Sequence, residues 1–252
     1  MIRDTTILFG RTMKHITRSA DTIITTVMMP VAFMLLFVYV FGGSIRQSLA
    51  SGTAYINYLL PGILIMAAAM GTSYVGYRLF EDRQKGMFAR VKSMPIKSSS
   101  FLWAHVLTSL VSNLISFVLI IVLALIMGFR TGASLGAWLG VIALFLFLTL
   151  ALTWLNAIPG ILAKSMTGAS ALAYPLTFLP MLSSAFVPTE TMPGPVRWFA
   201  ENQPLTSITN AIRSLLNQQP ISGQELWTAL LWMAILTVVG FLSANYLYKK
   251  AV

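Results

Sequence analysis

Long apolar runs separated by short polar connections are the dominant pattern of this sequence. A transmembrane helix needs about 20 consecutive apolar residues to cross the hydrocarbon core of a bilayer. Such runs occupy residues 22–41, 55–79, 101–129, 134–155, 166–187 and 226–248. Pro175 and Pro180 interrupt the fifth run, where neighbouring helices can satisfy the carbonyl groups that proline leaves free. The pattern predicts an all-α, polytopic membrane protein in which residues 1–252 form a single transmembrane domain with six spans.

The segment before the first run has the pattern of an amphipathic helix. At about 100° per residue, one narrow stripe is formed by Ile2, Phe9, Met13, Ile16 and Ala20. The opposite side carries the basic residues Arg3, Arg11, Lys14 and Arg18. Helices of this kind lie in the membrane interface with the apolar face towards the acyl chains. Residues 1–21 are therefore predicted to form an interfacial helix on the inner leaflet, with a solvated basic tail as the alternative.

The connection between the second and third runs, residues 80–100, is long and rich in charge. An apolar stripe at helical spacing is formed by Phe80, Met87, Val91 and Met94. Pro95 follows and ends the pattern, because proline clashes with the preceding helical turn. A short helix with an apolar stripe fits a groove on a partner protein. It fits a position flat on the lipid surface equally well.

The connection between the fifth and sixth runs, residues 188–225, is too polar to span a bilayer. Its centre carries Arg197, Glu201, Asn202, Gln203 and Pro204. Pro193 and Pro195 favour the start of a short helix, and Trp198 with Phe199 suits the aromatic belt of a membrane interface. A second short helix is predicted at 205–217. We expect a re-entrant helical hairpin that dips into the outer leaflet, with an ordinary surface loop as the alternative.

The distribution of charge orients the six predicted spans. The chain has 17 Lys and Arg residues against seven Asp and Glu, a net charge of +10, and a mean hydropathy of +0.78. With the N-terminus inside, thirteen of the 17 basic residues lie on the connections that face the cytoplasm. This bias is the positive-inside rule, and it explains the charge without any nucleic-acid partner. Both termini are predicted to be cytoplasmic, in an inner or plasma membrane.

Several kinds of chemistry are excluded by the residues that are missing. The sequence has no cysteine, no G-x-x-x-x-G-K-[ST] loop for nucleotide phosphates and no H-E-x-x-H zinc motif. It has no G-x-S-x-G nucleophile motif either. None of the seven carboxylates falls within an apolar run, whereas a proton-coupled carrier generally needs one there. We therefore expect no catalytic residues, no metal and no cofactor bound by this chain.

Some small and polar residues inside the predicted spans are candidates for helix packing. Gly132, Gly136 and Gly140 recur every four residues, a spacing that lets helix backbones approach closely. Packing within the subunit is the favoured interpretation, and dimerisation is the alternative. Asn113 and Asn156 are costly in lipid unless they find partners. We expect them to make helix-to-helix hydrogen bonds rather than to contact a substrate.

Two of these segments carry a family resemblance. The run Glu81-Asp82-Arg83-Gln84-Lys85-Gly86-Met87, followed by Arg90 and Ser93-Met94-Pro95, resembles the loop after the second span of ABC-2-type transport permeases. The external segment resembles the same region of the daunorubicin-resistance, drug-exporter type. Its matching groups, in order, are Phe186-Val187-Pro188, Met192-Pro193-Gly194, Asn202-Gln203-Pro204 and Asn210-Ala211-Ile212-Arg213. The resemblance covers nearly the whole chain.

The resemblance implies a half-transporter that performs no chemistry itself. Two permeases, copies or paralogues, would pair, and each would dock an ATP-binding subunit that holds ATP and Mg²⁺. The docking surface would combine the N-terminal helix with a cytoplasmic coupling helix between spans two and three. Its coupling residues would be Glu81, Asp82, Arg83, Lys85, Gly86, Met87, Phe88, Arg90, Val91, Met94 and Pro95. The external hairpin would include Pro188, Pro193, Trp198, Phe199, Glu201, Pro204 and Arg213.

The expected activity is ATP-driven export of a hydrophobic or amphipathic compound, drug-like or lipid-like. Three alternatives stay open at the level of sequence. One is a permease of the same family for a lipid-linked polysaccharide or another envelope component. Another is a membrane scaffold or immunity protein without a transport cycle, which would bind no ATPase. The third is a secondary carrier, whose transport would survive ATP depletion.

Overall fold

A computed structural model describes residues 2–17, 24–43, 54–93, 98–171, 173–220 and 222–251, and the regular structure in these ranges is helical. The α-helices are α1 (Ile2–Thr17), α2 (Met29–Leu35), α3 (Tyr55–Gln84), α4 (Met87–Ser93), α5 (Ser98–Ile126), α6 (Leu135–Leu162), α7 (Met166–Ala169), α8 (Ala173–Phe178), α9 (Gly194–Asn202), α10 (Pro204–Leu216) and α11 (Gly223–Ala251). The π-helical turns Ile24–Met28 and Leu36–Phe41 flank α2, and short 3₁₀ helices cover Leu179–Leu182 and Thr189–Thr191.

Four helices among the described residues are long and apolar enough to cross a membrane. They are α3, α5, α6 and α11, which match the predicted second, third, fourth and sixth spans. The predicted first span appears as the shorter apolar helix Thr26–Phe41. The predicted fifth span is not one helix, because Pro175 and Pro180 divide residues 166–182 into α7, α8 and a 3₁₀ turn.

Helix α3 lies at the centre of the molecule. Its apolar residues surround the whole helix, and nearly every side chain from Tyr55 to Thr72 is buried. Helices α5, α6, α8 and α10 all contact it. Glycine permits the closest of these approaches: a Cβ at Gly160 of α6 would lie 2.5 Å from the carbonyl oxygen of Gly76. The backbones of α3 and α6 therefore touch where they cross.

The divided fifth segment runs along α3 in the opposite direction. A Cβ on Gly76 would clash with the carbonyl oxygen of Ala169, and one on Gly62 would lie 2.7 Å from the Cβ of Ala185. Gly62 and Gly76 are 14 residues apart, which is about 21 Å along a helix. The fifth segment therefore follows α3 over about 21 Å, roughly half of its length, although its own helices are short.

One end of the molecule gathers the N-terminal helix, the α3–α4 junction and the C-terminal end of α11. Arg83 donates a hydrogen bond to the carbonyl oxygen of Ile161 at the end of α6 (2.7 Å), and Phe88 packs on Tyr248 of α11 with ring centroids 4.9 Å apart. We call this the basic end, because Arg83, Lys85, Arg90, Lys164, Lys249 and Lys250 all lie there.

The opposite end gathers the connections 129–134 and 183–220. Tyr55 donates to the carbonyl oxygen of Phe186 (3.0 Å), and Asn57 donates to the carbonyl oxygen of Arg130 (2.6 Å). Helix α5 ends here rather than at residue 129, since Gly128 has a φ of +99°, a left-handed conformation that favours glycine at a helix end. Helices α9 and α10 cover this end of α3.

Candidate functional site

The candidate site lies at the basic end, where α3 meets α4. Helix α3 ends at Gln84, and Gly86 turns the chain with a φ of +69° before α4 begins. Only glycine adopts this conformation at little cost. Both amides of the turn are satisfied, since Lys85 N–H donates to the carbonyl of Glu81 and Gly86 N–H donates to that of Arg83, each at 3.0 Å. We call residues 80–93 the turn segment.

Two residues of the predicted apolar stripe, Phe80 and Val91, are buried against their own subunit, and Met87 is half-buried. Phe88, beside the stripe, is buried as well and makes edge contacts with Phe101 of α5 and with Tyr248. Phe80 and Val91 are therefore not available to a groove on a partner or to lipid. A buried apolar side chain contributes about 1.5–3 kcal/mol, so the stripe holds α4 on α5 and α11. Met94, Pro95 and Arg18 lie outside the described residues.

The face of the turn segment that remains accessible is polar. Gln84, Lys85, Ala89 and Arg90 are exposed. Lys85 donates to Glu81 one turn earlier at 2.6 Å, an exposed pair that contributes little to stability. The exposed face thus carries the charges of Lys85 and Arg90, which are accessible to another molecule.

Asp82 connects the turn segment to two other helices. Its carboxylate accepts hydrogen bonds from Arg11 of α1 and from His105 of α5, each at 3.2 Å. His105 is buried, whereas the Arg11 side chain is half exposed. A small cavity of about 70 Å³ lies among these groups. It is lined by Arg11, Thr12, Arg78, Glu81, Asp82, Lys85 and His105.

Helix α1 presents three faces. Thr5 and Thr12 are buried and Leu8 is half-buried, and this face packs on α5. At about 100° per residue, the predicted apolar stripe with Phe9 and Met13 lies beside this face. Lys14 and Arg11 project from the remaining side and are exposed. The side of α1 that contacts α5 is therefore centred on Thr5 and Thr12 rather than on the predicted apolar stripe, whose Phe9 and Met13 are half-buried.

The external segment contains the two short helices α9 and α10 between 188 and 225. Trp198 and Phe199 are exposed on α9, and Arg197 pairs with Glu201 at 2.7 Å. Pro193 is the residue before α9, and Pro204 begins α10, as the tolerance of proline in a first helical turn predicts. Pro188 precedes the 3₁₀ turn Thr189–Thr191.

Arg213 attaches α10 to α3. Its guanidinium lies over the ring of Tyr58 at 3.9 Å from the centroid and donates to the carbonyl oxygens of Tyr58 (3.3 Å) and Ser184 (2.6 Å). A third bond reaches Asn210 Oδ1 at 2.8 Å, and Asn210 in turn donates to Glu225. Burial lowers the pKa of Arg213, and the nearby Tyr58 and Glu225 oppose the shift. An arginine remains charged in proteins.

A buried polar seam crosses the middle of the helix bundle. Ser109 of α5 and Thr153 of α6 share a hydrogen bond of 2.9 Å, and Asn156 donates to Thr72 of α3 at 3.3 Å. The predicted helix-to-helix bond is thus confirmed for Asn156. Asn113 instead donates to the Ser109 carbonyl on its own helix.

The predicted glycine packing within the subunit is confirmed at Gly140, where a Cβ would lie 3.2 Å from Leu215 of α10. Gly132 lies before α6, and a Cβ there would meet the side chain of Gln218 at 2.9 Å rather than another helix backbone. Gly136 has room for a side chain. The close approaches at Gly76 and Gly160 escaped the sequence reasoning, because isolated glycines in an apolar run carry no spacing signal.

Four long apolar helices, with α3 at their centre and a charged turn segment at one end, define a polytopic membrane protein. Comparison with known proteins identifies its family. The profile of the family described as ABC-2 type transporter matches residues 3–217, so the chain belongs to that family. It is 31% identical over 199 residues to "Daunorubicin resistance ABC transporter permease protein DrrB1" from Streptomyces coeruleorubidus, covering 77% of this chain and 68% of that protein.

Proposed function

We propose that this chain is the membrane-spanning subunit of an ATP-driven exporter for a hydrophobic or amphipathic compound. The observation that carries the proposal is the family match over residues 3–217, together with the similarity to a permease named for daunorubicin resistance. Two permease subunits, identical or paralogous, form the pathway. ATP and Mg²⁺ are bound by separate ATP-binding subunits, and this chain changes the packing of its spans in response.

The chain crosses the membrane six times with both termini in the cytoplasm. The distribution of charge supports this topology. The strongly basic connections all lie at one end of the molecule, the basic end, as the positive-inside rule requires of the cytoplasmic side. The first crossing is the helical run 24–43, which at 1.5 Å per residue is about 30 Å long. The fifth crossing is the divided segment beside α3. Irregular backbone at this depth is tolerated because it packs on protein.

The polar face of the turn segment, with the adjoining basic side of α1, docks the ATP-binding subunit. Exposed Lys85 and Arg90 with Gln84 offer charge and hydrogen bonds, while the buried Phe88 and Val91 keep the surface in place. A docking surface that is anchored by apolar packing transmits displacement into α5 and α11. At the other end, α9 and α10 form the re-entrant hairpin, in which exposed Trp198 reaches the outer leaflet interface.

Reconstitution with the ATP-binding subunit that co-purifies with the chain tests the proposal. Proteoliposomes that hold both proteins should accumulate an amphipathic anthracycline only when ATP is supplied on the cytoplasmic side. Ala89→Trp, on the exposed face of α4, should abolish association with the ATP-binding subunit. The matched control is Ala54→Trp, an equally bulky change at an exposed residue of the opposite end, which should leave association intact.

Two results would contradict the proposal. If no ATP-binding subunit binds the chain, a scaffold function replaces transport. If uptake continues without ATP and collapses with the ion gradient, the chain is a secondary carrier. Export of a lipid-linked polysaccharide with no response to any small amphipathic compound would retain the family mechanism but change the substrate class.

A further inference from the structure

Asp82 is the one described residue of the turn segment whose side chain bonds to both α1 and α5. Arg11 is 71 positions away in the sequence, yet its Nη2 lies 3.2 Å from Asp82 Oδ1. His105 Nε2 lies 3.2 Å from Asp82 Oδ2. By contrast, Glu81 bonds only to Lys85 within its own turn, and Arg83 reaches the carbonyls of α6. Asp82 therefore occupies a junction between three helices.

The two bonds of Asp82 differ in their surroundings. The His105 side chain is 2% exposed and its Nδ1 has no partner among the described residues, so the neutral ring carries its proton on Nε2 and donates to the carboxylate. The Arg11 side chain is 51% exposed. An exposed ion pair contributes little and breaks easily, whereas a bond to a buried group is kept because its loss leaves a desolvated polar atom.

The two bonds of Asp82 therefore have different consequences. Apolar contacts of Phe88 and Val91 hold α4 on its own subunit. The bond between Asp82 and His105 is directional and fixes the end of α3 relative to α5. The bond to Arg11 joins α1 to the same carboxylate and can open and re-form at the membrane surface.

We propose that Asp82 is a positioning residue that transmits displacement of the turn segment to α5 through His105 and to α1 through Arg11. This inference rests on the proposed function and adds the route by which the docked ATP-binding subunit moves the spans. Asp82 binds neither ATP nor the transported compound. Its removal should leave the fold and the docking face in place and uncouple ATP hydrolysis from transport.

The test measures the amount of compound transported per ATP hydrolysed, in proteoliposomes that hold the chain with its ATP-binding subunit. Asp82→Leu and His105→Leu should each lower this ratio about tenfold, a usual size for coupling between distant sites. The double variant should be no worse than Asp82→Leu, because that change already removes the bond to His105. His105→Gln, whose amide N–H can still donate to Asp82, should keep at least half of the ratio.

Thr108→Val is the matched control for burial on α5. Thr108 is buried one turn from His105, and its hydroxyl donates only to the carbonyl of Ala104 on the same helix (2.7 Å). This variant should keep the wild-type ratio. Equal losses in Thr108→Val and His105→Leu would show that any polar deletion in α5 uncouples the protein, and would overturn the inference.

Hydrogen exchange separates this inference from the proposed function. Asp82→Leu should raise amide exchange in α1 several-fold while the exchange of α6 stays unchanged, whether or not the complex transports anything. Wild-type exchange in α1 of Asp82→Leu overturns the linkage. A wild-type complex without ATP-dependent transport overturns the proposed function alone. A normal transport ratio in Asp82→Leu, in an active complex, overturns the positioning role.

Discussion

Replacing Gly160 by alanine would place a methyl group between the backbones of α3 and α6. The new Cβ would lie 2.5 Å from the carbonyl oxygen of Gly76 and 2.7 Å from its Cα, whereas ordinary van der Waals contact begins at 3.4 Å. The obstruction is backbone on both sides, so no side chain can rotate away. The two helices would have to separate by about 0.9 Å, the difference between 3.4 and 2.5 Å.

The magnitude follows from two opposing effects. Overpacking a close-packed contact costs about 1–3 kcal/mol. Alanine is favoured over glycine inside a helix by about 0.5–1 kcal/mol. Gly160→Ala should therefore lower the free energy of unfolding by about 1–2 kcal/mol. The seam next to it should loosen as well, because Asn156 and Thr72 lie one turn from the crossing and their bond is already 3.3 Å long.

The measurement is the free energy of unfolding in mixed micelles, from titration with a denaturing detergent followed by tryptophan fluorescence. Gly136→Ala is the matched control in the same helix, since a Cβ there meets nothing nearer than Ser134 Oγ at 3.8 Å. The control should stay within about 0.5 kcal/mol of the wild type. If Gly160→Ala proves as stable as Gly136→Ala, the backbones of α3 and α6 do not touch and the packing described above is refuted.

Three further predictions concern the two ends of the molecule. Arg213→Met should lower the free energy of unfolding by about 3 kcal/mol, because three acceptors and a cation–π contact lose a half-buried partner; Arg197→Met, in an exposed pair, should leave it nearly unchanged. Gly86→Ala should cost about 1–2 kcal/mol through its left-handed φ, and Gly86→Asn clearly less. Phe88→Ala should cost about 3–5 kcal/mol by opening a cavity against α5 and α11.

The same detergent titration measures all three. Equal effects of the two arginine substitutions would show that Arg213 is not buried against α3. An unchanged stability in Gly86→Ala would mean that the turn adopts an ordinary backbone conformation. A small effect of Phe88→Ala would show that the apolar side of the turn segment is exposed rather than buried.

The interpretation from sequence was strongest where a local pattern carries the information. Hydropathy over about 20 residues located α3, α5, α6 and α11, because each long span must be apolar along its own length in order to lie in lipid. Proline marked the start of α9, since it acts through its own backbone angle. The apolar stripe predicted one helix across Gly86, whereas the structure ends α3 at Gln84 and turns at Gly86, so this turn was missed. The amphipathic period likewise located α1.

Tertiary structure decided which groups meet. The apolar side chains of the turn segment, Phe88 and Val91 among them, would have the same spacing whether they faced a partner, lipid or their own subunit. Only the positions of Phe101 and Tyr248 show that Phe88 faces its own subunit. The junction of Asp82 with Arg11 and His105 joins residues far apart in the chain.

Sequence by itself therefore determined that the chain is a helical membrane protein, where its long spans lie and which connections are basic. Those properties depend on the transfer of each segment between water and lipid, which is a sum over neighbouring residues. The touching backbones at Gly76 and Gly160 and the three-helix junction at Asp82 were decided by the fold. They depend on distances between side chains that no local period encodes, because packing in a dense interior is set by shape rather than by polarity.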